Sequence, residues 1–129
     1  MITYGMTASM GTVIAQAPDI RLIYPSTVFL IHEGYISFEE TETKTAVSTI
    51  KSAKWYLQKL YDIYYSSCKS GLSFKDKTER QVKSFLRKTL EKKSDWYLDA
   101  DEVIKYGLAD HILTSDLNSL LKNIDDVKK

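Results

Sequence analysis

A chain of 129 residues is long enough to form one domain with its own hydrophobic core. Its formal net charge of +1 gives no electrostatic basis for binding nucleic acid or an anionic membrane. The single cysteine, Cys68, excludes an internal disulfide, and with only two histidines we expect no zinc site. The sequence has neither a signal peptide nor the run of about 18 apolar residues that spans a membrane, so we expect a cytoplasmic protein.

The first quarter of the chain is predicted to form a strand, a helix and two strands. Residues 2–6 have the β-branched and aromatic composition of a short strand, which Gly5 interrupts. Small side chains from about Ser9 onward predict a helix that stops at Pro18. The runs RLIYP and TVFLIH, separated by a Pro-Ser turn, predict two further strands.

The middle of the chain is predicted to form one long helix. No Gly or Pro occurs between Phe38 and Cys68, and apolar residues recur there at spacings of three or four. This stripe consists of Ala46, Ile50, Ala53, Leu57, Leu60 and Tyr64. Further aromatic residues lie outside the stripe, namely Trp55, Tyr56, Tyr61 and Tyr65. A helix that is aromatic on more than one side is expected to pack on another subunit as well as on its own core.

The last third of the chain is predicted to contain two helices, a short strand and a tail. The first helix covers about residues 76–90. The second lies in DADEVIKYG, where Asp99 and Glu102 have the spacing of a capping box and Gly107 is a typical helix stop. The segment HIL is predicted to be a strand, and residues 115–129 a short helix that ends in a charged tail.

Ser9 and His32 are the residues best suited to chemistry. Ser9 follows a strand at the first turn of a predicted helix, where unpaired amides and the helix dipole favour developing negative charge. A hydroxyl there can act as a nucleophile if a base is near, and the amide of Met10 can donate to an oxyanion. His32 ends a buried strand, so its ring can emerge at the sheet edge. A helix cap and a structural histidine would look the same, so these positions alone leave both interpretations open.

Three segments together resemble the Clp protease proteolytic subunit, the ClpP-like family of serine peptidases. GMTASMG at 5–11 is similar to the nucleophile turn of that family, and YPSTVFLIHEG at 24–34 to its proline-led strand ending in the catalytic histidine. DWYLDADEVIKYGLADHIL at 95–113 is similar to its C-terminal block. The segments occur in the order of the family, and between them lies the long helix expected for its handle. The resemblance extends over about residues 2–113.

The resemblance implies an α/β fold, the ClpP/crotonase-like ββα spiral with a long handle helix, as a single peptidase domain over residues 1–129 with a tail at 115–129. Family members carry further strands and a Gly-Gly turn upstream of the nucleophile. We therefore expect an N-terminally incomplete chain, a subunit completed by another polypeptide, or a shortened relative. The segment EGYISFEE after the histidine departs from the family pattern and suggests a phage-type member.

The resemblance also implies the roles of individual residues. The nucleophile would be Ser9, the general base His32, and the amide of Met10 would supply part of the oxyanion hole. Counting back from the tyrosine and leucine of DWYL matches the acid of the family to Glu91, while Asp95 matches a second acid of that block and is the alternative.

The implied function is a serine-type endopeptidase that cleaves unfolded or delivered proteins by acyl transfer. Its implied partners are a homo-oligomeric ring, an AAA+ unfoldase and protein substrates, with no cofactor, nucleic acid or membrane. The alternative from another class is a non-catalytic or incomplete ring subunit that acts as an oligomerisation and binding module. An acyl-CoA enzyme of the crotonase type would share the fold, but nothing in the sequence calls for CoA. A Ser–Lys protease is less consistent with a histidine at the end of its strand.

Overall fold

The computed structural model describes residues 1–34, 37 and 42–113. Short strands and helices alternate at both ends of this part of the chain, and helices form its middle. The strands are β1 (Ile2–Thr3), β2 (Met6–Ala8), β3 (Leu22–Ile23), β4 (Val28–His32), β5 (Asp95–Leu98) and β6 (His111–Ile112). The helices are α1 (Met10–Ile14), α2 (Thr43–Cys68), α3 (Glu79–Lys93) and α4 (Ala100–Lys105), with a short 3-10 turn at Leu72–Phe74.

The strands form two three-stranded sheets. In the first, β3 lies between β1 and β6, and neighbouring strands are parallel. In the second, β4 pairs in parallel with β2 and antiparallel with β5. Helices packed on small sheets make this a mixed α/β fold, as the sequence predicts.

The observed elements differ from the predicted ones at four places. Gly5, at a φ of +66°, interrupts the first strand as expected, but a further strand, β2, follows it. Helix α3 covers Glu79–Lys93 in place of residues 76–90. Helix α1 ends at Ile14, because the amides of Gln16 and Ala17 bond three residues back and close its end. Strand β5 was not predicted. The predicted helix at 115–129 lies outside the described residues.

One continuous hydrophobic core lies between the sheets and the helices. It takes Phe29 and Ile31 from β4, the C-terminal half of α2 and one face of α3. The buried residues of α3 are Val82, Leu86 and Leu90. Cys68 is fully buried, and burial raises the pKa of its thiol to about 12. The cysteine therefore acts as a packing residue of the core.

The N-terminal part of α2 contributes no buried side chain to this core, although the partly buried Leu57 packs against it. No residue from Thr43 to Lys59 is buried, and the first buried side chain of the helix is Leu60. Several apolar residues of this part are exposed, namely Val47, Ile50, Trp55 and Tyr56. Trp55 is 66% exposed, far more than is usual for tryptophan. This exposure agrees with a helix that packs on another subunit, which stays a prediction.

An ion pair between Arg21 and Asp110 joins the two ends of the described chain. The Arg21 guanidinium donates from Nη2 to Oδ1 of Asp110 at 2.5 Å and from Nε to Oδ2 at 3.2 Å. The backbone amide of Arg21 donates to Oδ2 at 2.7 Å, and the Asp110 amide donates back to the Arg21 carbonyl at 2.8 Å. Burial alone would raise the pKa of Asp110, but the bonds from Arg21 outweigh it and hold this pKa below its ordinary value.

We expect the replacement Asp110→Asn to lower the free energy of unfolding at pH 7 by about 1.5–3 kcal/mol, the typical contribution of hydrogen bonds to a charged group. A carboxyl whose folded-state pKa is depressed stabilises the fold above its unfolded-state pKa of about 3.9, and this stabilisation disappears as pH falls through the folded-state pKa. Urea unfolding between about pH 5 and pH 2 should therefore show a steeper loss of stability in the wild type than in Asp110→Asn.

The control for this experiment is Asp19→Asn, which changes an exposed carboxylate shortly before Arg21 in the chain. It should keep the wild-type dependence on pH. An Asp110→Asn variant with that same dependence would show that the ion pair does not contribute to acid stability.

Two kinds of feature are absent from the described residues. No helix within residues 1–34, 37 and 42–113 is long and apolar enough to cross a membrane. The same residues hold no group of three or more His, Cys, Asp or Glu side chains arranged to bind a metal ion.

Candidate active site

Ser9 lies on a sharp turn between β2 and α1. Its φ of +54° and ψ of −124° describe a backbone conformation that residues other than glycine rarely adopt. Such a conformation costs on the order of 1–3 kcal/mol and persists only where the surrounding structure enforces it. The residue is exposed, so its hydroxyl is accessible. A strained strand-to-helix turn that presents a serine is the geometry of a nucleophile.

Hydrogen bonds on both sides enforce this turn. The Ser9 amide donates to the Leu30 carbonyl of β4 at 3.0 Å, which continues the pairing of β2 with β4. The Ser9 carbonyl accepts from Oγ1 of the buried Thr12 at 2.6 Å. The same Thr12 oxygen lies 2.5 Å from the hydroxyl of Tyr64 in α2. The turn is thus tied to the neighbouring strand and to the long helix.

His32 is the last residue of β4. Along this strand Phe29 and Ile31 point into the core, so alternation puts His32 on the opposite face with Leu30. The side chain of His32 is 18% exposed. Ser9 bonds to Leu30, two residues before His32, so the serine and the histidine lie at the same end of two neighbouring parallel strands.

Asp95 faces His32 across the antiparallel pair of β4 and β5. The two residues are partners in the ladder, and Oδ1 of Asp95 lies 3.8 Å from Nδ1 of His32. Ser94 ends helix α3 in a left-handed conformation, with a φ of +60°, and turns the chain into β5. Asp95 therefore occupies the first position of a strand whose register is set by the burial of Trp96 and Leu98.

Glu91 lies near the same place, on the last turns of α3. It lines a small cleft together with His32, Glu33, Gly34, Leu90 and Ser94. Its charge also contributes to the raised pKa of Tyr61. The structure thus brings both predicted acids close to the histidine, and Asp95 is the one that pairs with it across the sheet.

The structure adds a contact that the sequence analysis did not identify. The hydroxyl of Tyr61 in α2 donates a hydrogen bond to Oε1 of Glu33, the residue that follows His32. From the sequence, Tyr61 was expected to pack, and Glu33 belonged to the segment that departs from the family pattern. Since 28 positions separate them along the chain, no local pattern could have paired them.

This arrangement has the parts of a nucleophile, base and acid system. Ser9 supplies a hydroxyl on a strained turn, and His32 supplies an imidazole at the end of the adjacent strand. Asp95 supplies a carboxylate on the Nδ1 side of that imidazole. The amide of Met10, the first residue of α1, follows the serine directly.

The chain also matches a known protein family. The model of the family described as Clp protease matches residues 1–116 of the chain. The match contains both sheets, all four described helices and each of the candidate site residues. The chain belongs to the Clp protease family.

Proposed function

We propose that this protein is a serine-type endopeptidase in which Ser9 is the nucleophile, His32 the general base and Asp95 the acid that orients the histidine. The observation that carries this proposal is the position of Ser9. Its backbone is held in a strained left-handed turn by a bond to the strand that ends in His32. A serine that only capped α1 would need no such conformation, and the Ser9 side chain makes no capping hydrogen bond.

In the proposed mechanism, Ser9 Oγ attacks the carbonyl carbon of a peptide bond while His32 accepts the hydroxyl proton. The carbonyl oxygen becomes an oxyanion, to which the Met10 amide donates a hydrogen bond. His32 then returns the proton to the leaving amine, and an acyl-enzyme on Ser9 remains. Water, deprotonated by the same histidine, hydrolyses the ester and restores the serine.

We assign the acid to Asp95 because it faces Nδ1 of His32, although its distance of 3.8 Å is longer than a hydrogen bond. Hydrogen bonds of this kind are often long before substrate binds. Glu91, the acid first matched by resemblance, lines the same cleft and stays a prediction. An acid in this position holds the correct tautomer and stabilises the imidazolium that forms during the reaction.

The two acids can be told apart by matched amide variants. We expect Asp95→Asn to lower the rate of acyl transfer by about 10⁴-fold, because the histidine loses its orienting charge. Glu91→Gln should change the rate by less than about tenfold, since a carboxylate that lies only near the site acts through long-range charge. The measurement is the rate constant for covalent labelling of each folded variant by a fluorophosphonate. A larger loss of rate in Glu91→Gln than in Asp95→Asn would instead assign the role of the acid to Glu91.

The substrates we propose are unfolded or delivered proteins, with a homo-oligomeric ring fed by an AAA+ unfoldase as the working assembly. These partners follow from family membership. The chain's own support for an assembly is the exposed apolar part of α2, from Val47 to Tyr56. Large exposed apolar surfaces commonly mark protein interfaces.

The experiment that tests the proposed function is labelling by a fluorophosphonate, with the adduct located by peptide mass spectrometry. An adduct on Ser9, absent from Ser9→Ala, is the expected result. Ser26, an exposed serine on the turn before β4, is the internal control and should stay unmodified. A folded, oligomeric protein without an adduct would instead support the non-catalytic ring subunit.

A further inference from the structure

We propose that Tyr61 is a positioning residue for His32, which it fixes by holding Glu33 against the long helix. This inference rests on the proposed function, because it deepens the role of His32 as the base. It concerns two side chains outside the nucleophile, base and acid, and neither of them needs to touch substrate.

The contact lies where α2 first enters the core. Tyr61 is only 6% exposed and follows Leu60, the first buried residue of the helix. Its hydroxyl donates to the Glu33 carboxylate, and the Arg87 guanidinium carbon lies 5.8 Å from the centre of its ring. Burial and the bond to Glu33 raise the pKa of Tyr61 far above its ordinary value, so the hydroxyl keeps its proton and remains a donor at neutral pH.

Glu33 lies at the end of the strand that carries His32. His32 is the last residue of β4 to pair with β5, opposite Asp95. Glu33 follows outside the strand, and Gly34 comes next with a φ of +83°. The end of a strand is free to fray unless something holds it. The hydrogen bond from Tyr61 to Glu33 restrains this strand end, one residue beyond the histidine.

The bond from Tyr61 acts on the imidazole through the backbone at the strand end. Phe29 and Ile31 of β4 point into the core that α2 shares. The Glu33 carboxylate, just past the strand, bonds to Tyr61 of that helix. His32 points to the other face, towards Asp95. Fixing Glu33 to α2 therefore fixes the backbone of His32 and the direction of its ring.

The test compares Tyr61→Phe with Tyr4→Phe, a matched change at an exposed tyrosine outside both α2 and the candidate site. Tyr61→Phe keeps the ring and removes only the hydroxyl. We expect it to lower the rate of Ser9 labelling on the order of tenfold, with the loss in kcat rather than KM when a peptide substrate is used. Tyr4→Phe should leave both unchanged.

Variants of Glu33 provide a rescue. Glu33→Gln keeps an oxygen that accepts from the Tyr61 hydroxyl and should retain most of the wild-type rate. Glu33→Ala removes the acceptor and should lose the rate to the same extent as Tyr61→Phe. Equal losses in the two Glu33 variants would contradict the proposal, because the hydrogen bond would then have no part in the effect.

A spectroscopic readout separates this inference from the proposed function. The chain has only two histidines, so the NMR signals of their Cε1 protons are easily assigned, with His111 of β6 as the reference. In Tyr61→Phe the His32 signal should shift or broaden while the His111 signal stays in place. An unchanged His32 signal in the folded variant overturns the inference. If the wild type carries no fluorophosphonate label, the proposed function fails, and the His32 signal still decides the role of Tyr61.

Discussion

We expect the replacement His32→Ala to lower the rate of Ser9 acylation by 10⁴-fold to on the order of 10⁶-fold. Without a base, the Ser9 hydroxyl keeps its proton and is a weak nucleophile at neutral pH. The residual rate would come from binding and from the oxyanion donors, which do not depend on the histidine. The measurement is the second-order rate constant for labelling by a fluorophosphonate, with thermal unfolding as a check that the variant is folded.

The second histidine offers the matched control. His111 lies in β6, in the sheet that does not contain the candidate site, and is exposed. His111→Ala should therefore label at the wild-type rate. If both histidine variants lose activity equally, the effect comes from the fold and not from proton transfer by His32.

The largest effect on stability is expected from Gly107→Ala. Gly107 follows α4 with a φ of +75°, where a side chain costs on the order of 1–2 kcal/mol. A Cβ atom there would also lie 2.7 Å from the amide nitrogen of Gly71 and 2.8 Å from its Cα. These are backbone atoms, which cannot rotate out of the way as a side chain can. Overpacking of this kind adds about 1–3 kcal/mol to the loss of stability. Together these costs reach about 2–5 kcal/mol, a large part of the stability of an ordinary domain.

Gly5→Ala separates the two contributions. Gly5 has a similar φ of +66°, but a Cβ atom at this position would meet nothing within 4 Å. This variant should lose only the conformational cost of about 1–2 kcal/mol. Urea unfolding of both variants gives the difference, which measures the close approach of Gly71 and Gly107. Equal losses would mean that the backbone at this contact relaxes without cost.

Local signals in the sequence predicted much of the helical structure. The spacing of Asp99 and Glu102 indicated a capping box, and both of its hydrogen bonds are present at the start of α4. The lack of Gly and Pro from Phe38 to Cys68 predicted the long helix, which the structure describes from Thr43. These features depend on residues only a few positions apart, so the sequence displays them directly.

Features that depend on distant contacts were not predicted. Strand β5 covers only four residues shortly after the charged run EKK, so its alternation of buried and exposed side chains was too short to recognise. Without that strand, the pairing of Asp95 with His32 could not be foreseen. Counting from a motif gave Glu91 instead, four residues away on the preceding helix, where α3 continues further than residue 90. Only the register of β4 with β5 distinguishes the positions of these two acids.

That register also limits how the family member can change in evolution. Because side chains alternate along a strand, one residue inserted or deleted within Val28–His32 would turn the histidine from the open face into the core. One residue inserted or deleted within Asp95–Leu98 would move Asp95 away from His32 and turn Trp96 from the core to the solvent. Changes of length are therefore not expected within these strands, so that the spacing within both strands stays constant between lineages.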